Sequence, residues 1–138
     1  MSKGIILGVD FSSDFTQLAY LDDENNPQSV SIGTEDNYLI PTVVCYNKEL
    51  CEWSAGDEAE NKGRLTNSVL YKSLPQMCSK EMTEDERDVI KAFFSDLIKA
   101  TVNYCNGRLI RNMLVTVDDL NPMVIENLKD ILVELGYE

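Results

Sequence analysis

The sequence predicts an α/β fold in which helices pack on a mixed β-sheet, and three observations support this class. Residues 4–11 and 15–21 are two apolar runs joined by a short polar turn, which is the pattern of a β-hairpin. Two amphipathic helical patterns occupy the second half of the chain, and an apolar strand pattern lies between them. The predicted order is therefore β-β-β, an insertion, then α, β and α.

The middle of the chain is expected to form short elements. A third strand near 28–32 follows the hairpin, and residues 40–46 are predicted to be one strand with a proline near its start. Residues 51–55 are its predicted hairpin partner, and a short helix over 56–61 follows. The apolar piece 69–74 fits more than one kind of element.

The first long helix is predicted over 84–105. Thr83 and Glu86 form a T-x-x-E capping box before it, and its apolar residues recur on one helical stripe. Residues 109–117 are expected to be a strand that is buried on both faces, because Met113, Leu114 and Val115 are consecutive apolar residues.

The last predicted element is a helix over 122–135, with Asn121 as its N-cap and a proline in its first turn. We assign 1–32 and 83–138 to the core of one lobe and 33–82 to a small inserted subdomain. The predicted buried residues are Ile6, Val9, Leu18, Phe94, Leu97, Leu114, Leu128 and Leu132.

The composition argues against several classes of function. Twelve basic and 24 acidic residues give a net charge of −12, which would repel a nucleic-acid backbone or an anionic membrane. There is no histidine, so the commonest general base is missing. The four cysteines form no C-x-x-C pair, which favours free thiols and a cytoplasmic location over a zinc or redox motif.

The turn of the first hairpin, Gly8-Val9-Asp10-Phe11-Ser12-Ser13, resembles the first phosphate loop of the actin-like ATPase superfamily, and within it that of the seventy-kilodalton heat-shock chaperones. Further matching segments occur in the family's order over nearly the whole chain. They are Ile40-Pro41-Thr42-Val43-Val44, Gly56-Asp57-Glu58-Ala59, Val69-Leu70-Tyr71-Lys72-Ser73-Leu74 and Leu114-Val115-Thr116-Val117.

The resemblance implies a ribonuclease-H-like sheet and the N-terminal lobe of a domain that binds ATP and Mg²⁺. Asp10 would hold the magnesium ion through water, and Lys72 would place a positive charge near the terminal phosphate. The phosphate loop would consist of Gly8, Asp10, Ser12, Ser13 and Asp14. The chain ends two residues after Gly136, where another parallel strand is expected, so the second lobe would lie outside it.

Two departures from the family pattern leave other functions open. Ser12 stands where the family has glycine, and Asp14 stands where it has a hydroxyl residue. The chain alone is expected to be inactive as an ATPase, because it would supply only one of the two lobes. The alternatives are a degenerate relative in which the fold serves as a protein-interaction or regulatory module, and a protein-binding domain with no nucleotide history. Asp10 could instead form an Asx-turn, and Lys72 could be a solvated lysine.

Overall fold

The computed structural model describes residues 5–21, 26–30, 39–62, 67–105, 107, 109–117 and 121–136. The elements in these ranges are β1 (Ile5–Phe11), β2 (Phe15–Leu21), β3 (Pro27–Ser29), β4 (Ile40–Pro41), β5 (Val44–Asn47), β6 (Glu52–Ala55), α1 (Asp57–Lys62), β7 (Ser68–Tyr71), α2 (Leu74–Met77), α3 (Glu84–Tyr104), β8 (Ile110–Val117) and α4 (Pro122–Glu134).

Within the described residues, the larger sheet is mixed and has the strand order β3-β2-β1-β8, with β4 also paired to β2. β1 runs antiparallel to β2 and parallel to β8. A second, antiparallel sheet places β5 between β6 and β7. The α/β class, the mixed sheet and the first hairpin are therefore confirmed. The division into a core and an inserted subdomain stays a prediction.

The core lies between one face of the larger sheet and the two long helices. β1 alternates, so that Ile5, Leu7, Val9 and Phe11 are buried on this face. The ring of Phe11 lies 5.7 Å from that of Phe93 and 5.2 Å from that of Phe94, both on α3. From α4, the side chains in the same cluster are Val124, Leu128, Ile131 and Leu132. The helices thus cover one face of the sheet.

The predicted burial of β8 on both faces is wrong. Leu114 is 66% exposed, because it points away from α3 and α4 towards the uncovered face of the sheet. Met113 and Val115 are half-buried and pack against the core. Ile6, also predicted to be buried, is only half-buried on that uncovered face. The other predicted core residues, Val9, Leu18, Phe94, Leu97, Leu128 and Leu132, are buried.

The predicted strand 40–46 is two strands in different sheets. β4 pairs with β2, whereas β5 pairs with β6 and β7. The chain changes sheets at Thr42 and Val43, and the N–H of Gly56 donates to the Val43 carbonyl over 3.1 Å. Gly56 has φ +68°, and a Cβ there would lie 3.1 Å from Ile40 Cγ2, so the position favours glycine. The predicted hairpin with 51–55 is confirmed in β5 and β6.

The remaining predicted elements differ mainly at their ends. The third strand ends at Ser29, and residues 31–32 lie outside the described ranges. The ambiguous piece 69–74 divides into β7 and the start of α2. The capping box of α3 and the Asn121 N-cap of α4 are both present. Glu134 on α4 pairs with Arg87 and Lys91 on α3, which ties the two helices together.

Candidate functional site

The β1–β2 turn borders an open depression of about 310 Å³. Four of the residues predicted for the phosphate loop line it together, and two apolar side chains and a glutamine complete it. The lining residues are Asp10, Ser12, Ser13, Asp14, Phe15, Gln17 and Leu39. The turn thus gathers two carboxylates and two hydroxyls around one space.

Asp10 lies near the carboxyl end of β1, directly opposite Thr116 in the parallel strand β8. The Ser12 hydroxyl donates to Asp10 Oδ1 over 3.3 Å. The Thr116 hydroxyl lies 3.5 Å from the same oxygen and 3.5 Å from the Val9 carbonyl. Two hydroxyls therefore lie beside a carboxylate that remains exposed. Side chains at the carboxyl ends of neighbouring parallel strands are where open α/β sheets bind ligands.

Ser13 is held by a residue from the second half of the chain. The Gln76 side-chain amide donates to Ser13 Oγ over 2.7 Å. Gln76 belongs to α2, whose Leu74 and Pro75 are buried, and Cys78 directly after α2 is buried as well. Three buried neighbours fix the backbone that carries Gln76, and from this position its exposed side chain reaches the turn.

The backbone of Asp14 is anchored although its carboxylate is exposed. The Asp14 carbonyl accepts a hydrogen bond from the Thr42 N–H over 3.0 Å. The hydroxyls of Thr42 and Thr16 are hydrogen-bonded at 2.8 Å, and both residues are buried. This buried contact holds the turn against the start of the second sheet, and the Asp14 carboxylate consequently stays at the depression.

Gly8 lies below the turn on the uncovered face of the sheet. A Cβ there would meet the Ala19 carbonyl oxygen at 3.6 Å, which is an ordinary contact, so space rather than clash surrounds this position. A second depression of about 280 Å³ includes Gly8 and shares Asp10 and Gln17 with the first. Gly8 therefore lies beside the turn without lining its depression.

Lys72 is placed differently from the other predicted site residues. It follows β7, is exposed, and is not among the described residues that line the depression at the turn. Ser73, next to it, has φ 56° and ψ 45°, and Gln76 three residues later reaches Ser13. The structure therefore brings the segment of Lys72 to the turn but does not place the lysine in the depression.

The residues at the turn fit a magnesium ion bound mostly through water. Mg²⁺ usually takes one or two carboxylates and keeps several waters. Asp10 offers one exposed carboxylate, and hydroxyl oxygens lie beside it. In the described part of the chain, no three histidine, cysteine or acidic residues group together as a metal-binding cluster. The turn could thus hold a hydrated Mg²⁺ that comes with phosphate, rather than a fully protein-ligated ion.

The sequence reasoning missed Thr116, Gln17 and Gln76. The first two could have been found, because the parallel pairing of β1 with β8 and the hairpin register place both opposite Asp10. Gln76 gave no signal, since it lies 63 residues from Ser13 and no periodic pattern relates the two positions.

Comparison with known families places residues 26–138 in a family described as "Family of unknown function (DUF5716) C-terminal". The chain belongs to this family. The match begins after the β1–β2 turn, so the matched residues do not include Asp10, Ser12, Ser13 or Asp14. No curated protein matches the chain. In the described residues of this family member, no helix is long and apolar enough to cross a membrane.

Proposed function

We propose that this chain is the N-terminal lobe of an actin-like nucleotide-binding domain, related to the seventy-kilodalton heat-shock chaperones and built on a ribonuclease-H-like sheet. In the strand order β3-β2-β1-β8, β1 and β8 are parallel and the other two neighbouring pairs are antiparallel. This arrangement supports the assignment. The two long helices on one face of that sheet also support it.

One observation carries the proposal. Asp10, Ser12 and Ser13 line a single depression beyond the carboxyl end of β1. A carboxylate can hold a hydrated Mg²⁺, while hydroxyls and the N–H groups of a tight turn can donate to phosphate oxygens. The ligand that combines both needs is the Mg²⁺ complex of a nucleoside triphosphate, and ATP is the nucleotide that the resemblance indicates.

We include Lys72 in the proposed site because the segment that carries it reaches the β1–β2 turn. It lies four residues before Gln76, whose side chain reaches Ser13, and its long side chain is exposed. A lysine near the terminal phosphate would stabilise the negative charge of phosphoryl transfer. Hydrolysis is assigned only to an assembly in which a second lobe completes the site. A cytoplasmic location belongs to the same proposal.

Asp14 favours a second candidate function, that of a degenerate ATPase fold which binds a protein partner. Its exposed carboxylate lines the same depression as Asp10. A second negative charge roughly 4 Å from a phosphate would cost about 4 kcal/mol at an effective dielectric constant of about 20. That cost exceeds the net gain of one ordinary hydrogen bond, about 0.5–1.5 kcal/mol.

A titration of the chain with Mg-ATP, followed by NMR of the amides of residues 10–15, tests the first function. We expect a Kd of about 1 mM or weaker, which equals about −4 kcal/mol. Asp10→Asn should remove the Mg²⁺ dependence, whereas Asp88→Asn on α3 should leave it unchanged. If Asp10→Asn binds Mg-ATP with the same affinity and Mg²⁺ dependence as wild type, the proposal is overturned. If the chain binds a protein partner and nucleotide does not change that affinity, the second candidate is favoured.

A further inference from the structure

We propose that Gln76 is a positioning residue that turns the Ser13 hydroxyl into a donor for a phosphate oxygen. The inference rests on the proposed phosphate site and assigns a role to a residue outside the phosphate loop. Its basis is the 2.7 Å hydrogen bond from Gln76 Nε2 to Ser13 Oγ.

A serine hydroxyl has one proton to donate and two lone pairs that accept. When the Gln76 amide occupies one lone pair of Ser13, the hydroxyl proton points elsewhere. Ser13 lines the depression at the turn, so this proton is available to a ligand there. Gln76 thereby restricts the directions in which Ser13 can donate and leaves its proton for another acceptor.

Ser12 has a different role, because its hydroxyl proton is already engaged. Ser12 donates to Asp10 Oδ1 over 3.3 Å and so helps to orient that carboxylate. Of the two serines in the turn, Ser13 is therefore the one with a proton left for an anion. The Ser12 hydroxyl therefore donates to the carboxylate proposed to hold the metal, and the Ser13 hydroxyl donates to the phosphate.

Gln76 can act in this way because its backbone is fixed. Leu74 and Pro75 before it and Cys78 after it are buried in the main core. Asn127 on α4 also donates to the Cys78 and Lys80 carbonyls, over 2.8 and 3.0 Å. The support fixes the position from which the exposed Gln76 side chain reaches Ser13, so only its own rotamers remain to be ordered.

The ligand class is a phosphate ester or polyphosphate that arrives with Mg²⁺. Asp10 and Asp14 face the same space as Ser13, so a bare anion would be repelled by two carboxylates. The probe is therefore Mg-pyrophosphate, which carries the phosphate chemistry without adenosine and reports on the turn alone.

The test compares wild type with Gln76→Met, a neutral change of similar length that removes the donor. We expect Gln76→Met to weaken Mg-pyrophosphate binding by about 2- to 10-fold, the value of one hydrogen bond. Gln28→Met is the matched control, since Gln28 is exposed on β3 and lines neither depression. In a Ser13→Ala background, Gln76→Met should have no further effect.

A second measurement needs no ligand. The thermal unfolding midpoints of Ser13→Ala, Gln76→Met and the double variant should be non-additive, because the two side chains share one hydrogen bond. Additive midpoints, an unchanged affinity in Gln76→Met, or no Mg-pyrophosphate binding at all would overturn the inference. If Mg-pyrophosphate binding depends on Gln76 but Mg-ATP binds no more tightly than Mg-pyrophosphate, the role of Gln76 is supported. The same result would overturn the nucleotide function.

Discussion

Leu114 on β8 lies directly opposite Gly8 on β1, on the face of the sheet that the two long helices leave open. Its side chain is 66% exposed, whereas Leu128 on α4 is 4% exposed on the covered face. Two leucines that look alike in the sequence therefore have different neighbours. The difference predicts a large loss of stability when Leu128 is truncated and a small change when Leu114 is truncated.

Leu128→Ala should lower the free energy of unfolding by about 2–5 kcal/mol, because it leaves a cavity in the core. Leu114→Ala should change it by about 0.5 kcal/mol or less, since the side chain loses few contacts. Urea unfolding of both variants, with equal m-values as a control on two-state behaviour, measures the two losses. Equal losses would show that the open face is covered in solution.

The sequence predicted those elements whose pattern is local. α3 and the β1–β2 hairpin carry their own signals: a capping box with an apolar stripe, and two apolar runs around a short turn. Burial of Leu114 could not be predicted in this way, because it depends on what packs against each face of the sheet. The break between β4 and β5 was missed for a similar reason, since a strand pattern does not show which sheet each half joins.

The residues of the candidate site also differ in whether a local sequence pattern could predict them. Asp10, Ser12 and Ser13 lie within four residues, so a sequence motif could place them together. Lys72 was assigned from the resemblance alone, and the structure leaves it outside the depression. Gln76 reaches Ser13 only through the packing of α2 on the core, which no local pattern encodes.

The cap of α3 predicts a stability loss in acid. The Thr83 N–H donates to Glu86 Oε1 over 3.1 Å, and this bond is the main reason why the pKa of Glu86 lies below its ordinary value of 4.5. The native state therefore binds fewer protons than the unfolded state near this pH. The stabilisation is complete above the ordinary pKa and is lost as the pH falls through the lowered one.

Unfolding free energies of wild type and Glu86→Gln at pH 7 and pH 3 test this cap. The deficit of Glu86→Gln at pH 7 should shrink at pH 3, because pH 3 lies below the ordinary pKa of 4.5 and the charged cap stabilises the native state less there. Glu84→Gln controls for the helix dipole, because Glu84 also lies in the first turn. Thr83→Ala should cost about 0.5–2 kcal/mol at pH 7. A deficit of Glu86→Gln that does not change with pH would contradict the assignment.

Thiol labelling should separate Cys51 from the other cysteines. Cys51 is exposed, whereas Cys45, Cys78 and Cys105 are buried. Burial, with a smaller effect of the Glu86 charge, raises the pKa of the Cys78 thiol to about 12, so little thiolate forms there at pH 7–9. A disulfide reagent should therefore label one thiol rapidly in the native protein and four in urea. Cys51→Ser should abolish the rapid phase, and a rapid phase that survives it would show that a buried thiol becomes accessible.

Asp14 is the residue whose replacement should improve the proposed site. Its carboxylate lines the depression at the turn, while its backbone carbonyl is held by the Thr42 N–H. Asp14→Thr keeps that backbone contact, removes one negative charge and introduces the hydroxyl that the proposed relation to actin-like ATPases predicts at this position. Removal of the charge should tighten Mg-ATP binding by about tenfold or more, since even 1.4 kcal/mol of the repulsion corresponds to a factor of ten.

The measurement is an NMR titration with Mg-ATP of wild type, Asp14→Thr and Asp14→Asn at equal ionic strength. Asp14→Asn removes the charge without restoring a threonine hydroxyl, so it separates the two contributions. The gain should shrink as salt is added, because screening weakens the repulsion between exposed charges. Micromolar binding by wild type would contradict a weakened site. If neither variant binds more tightly than wild type, Asp14 is not the obstacle, and the turn is better explained as part of a fold that no longer holds a nucleotide.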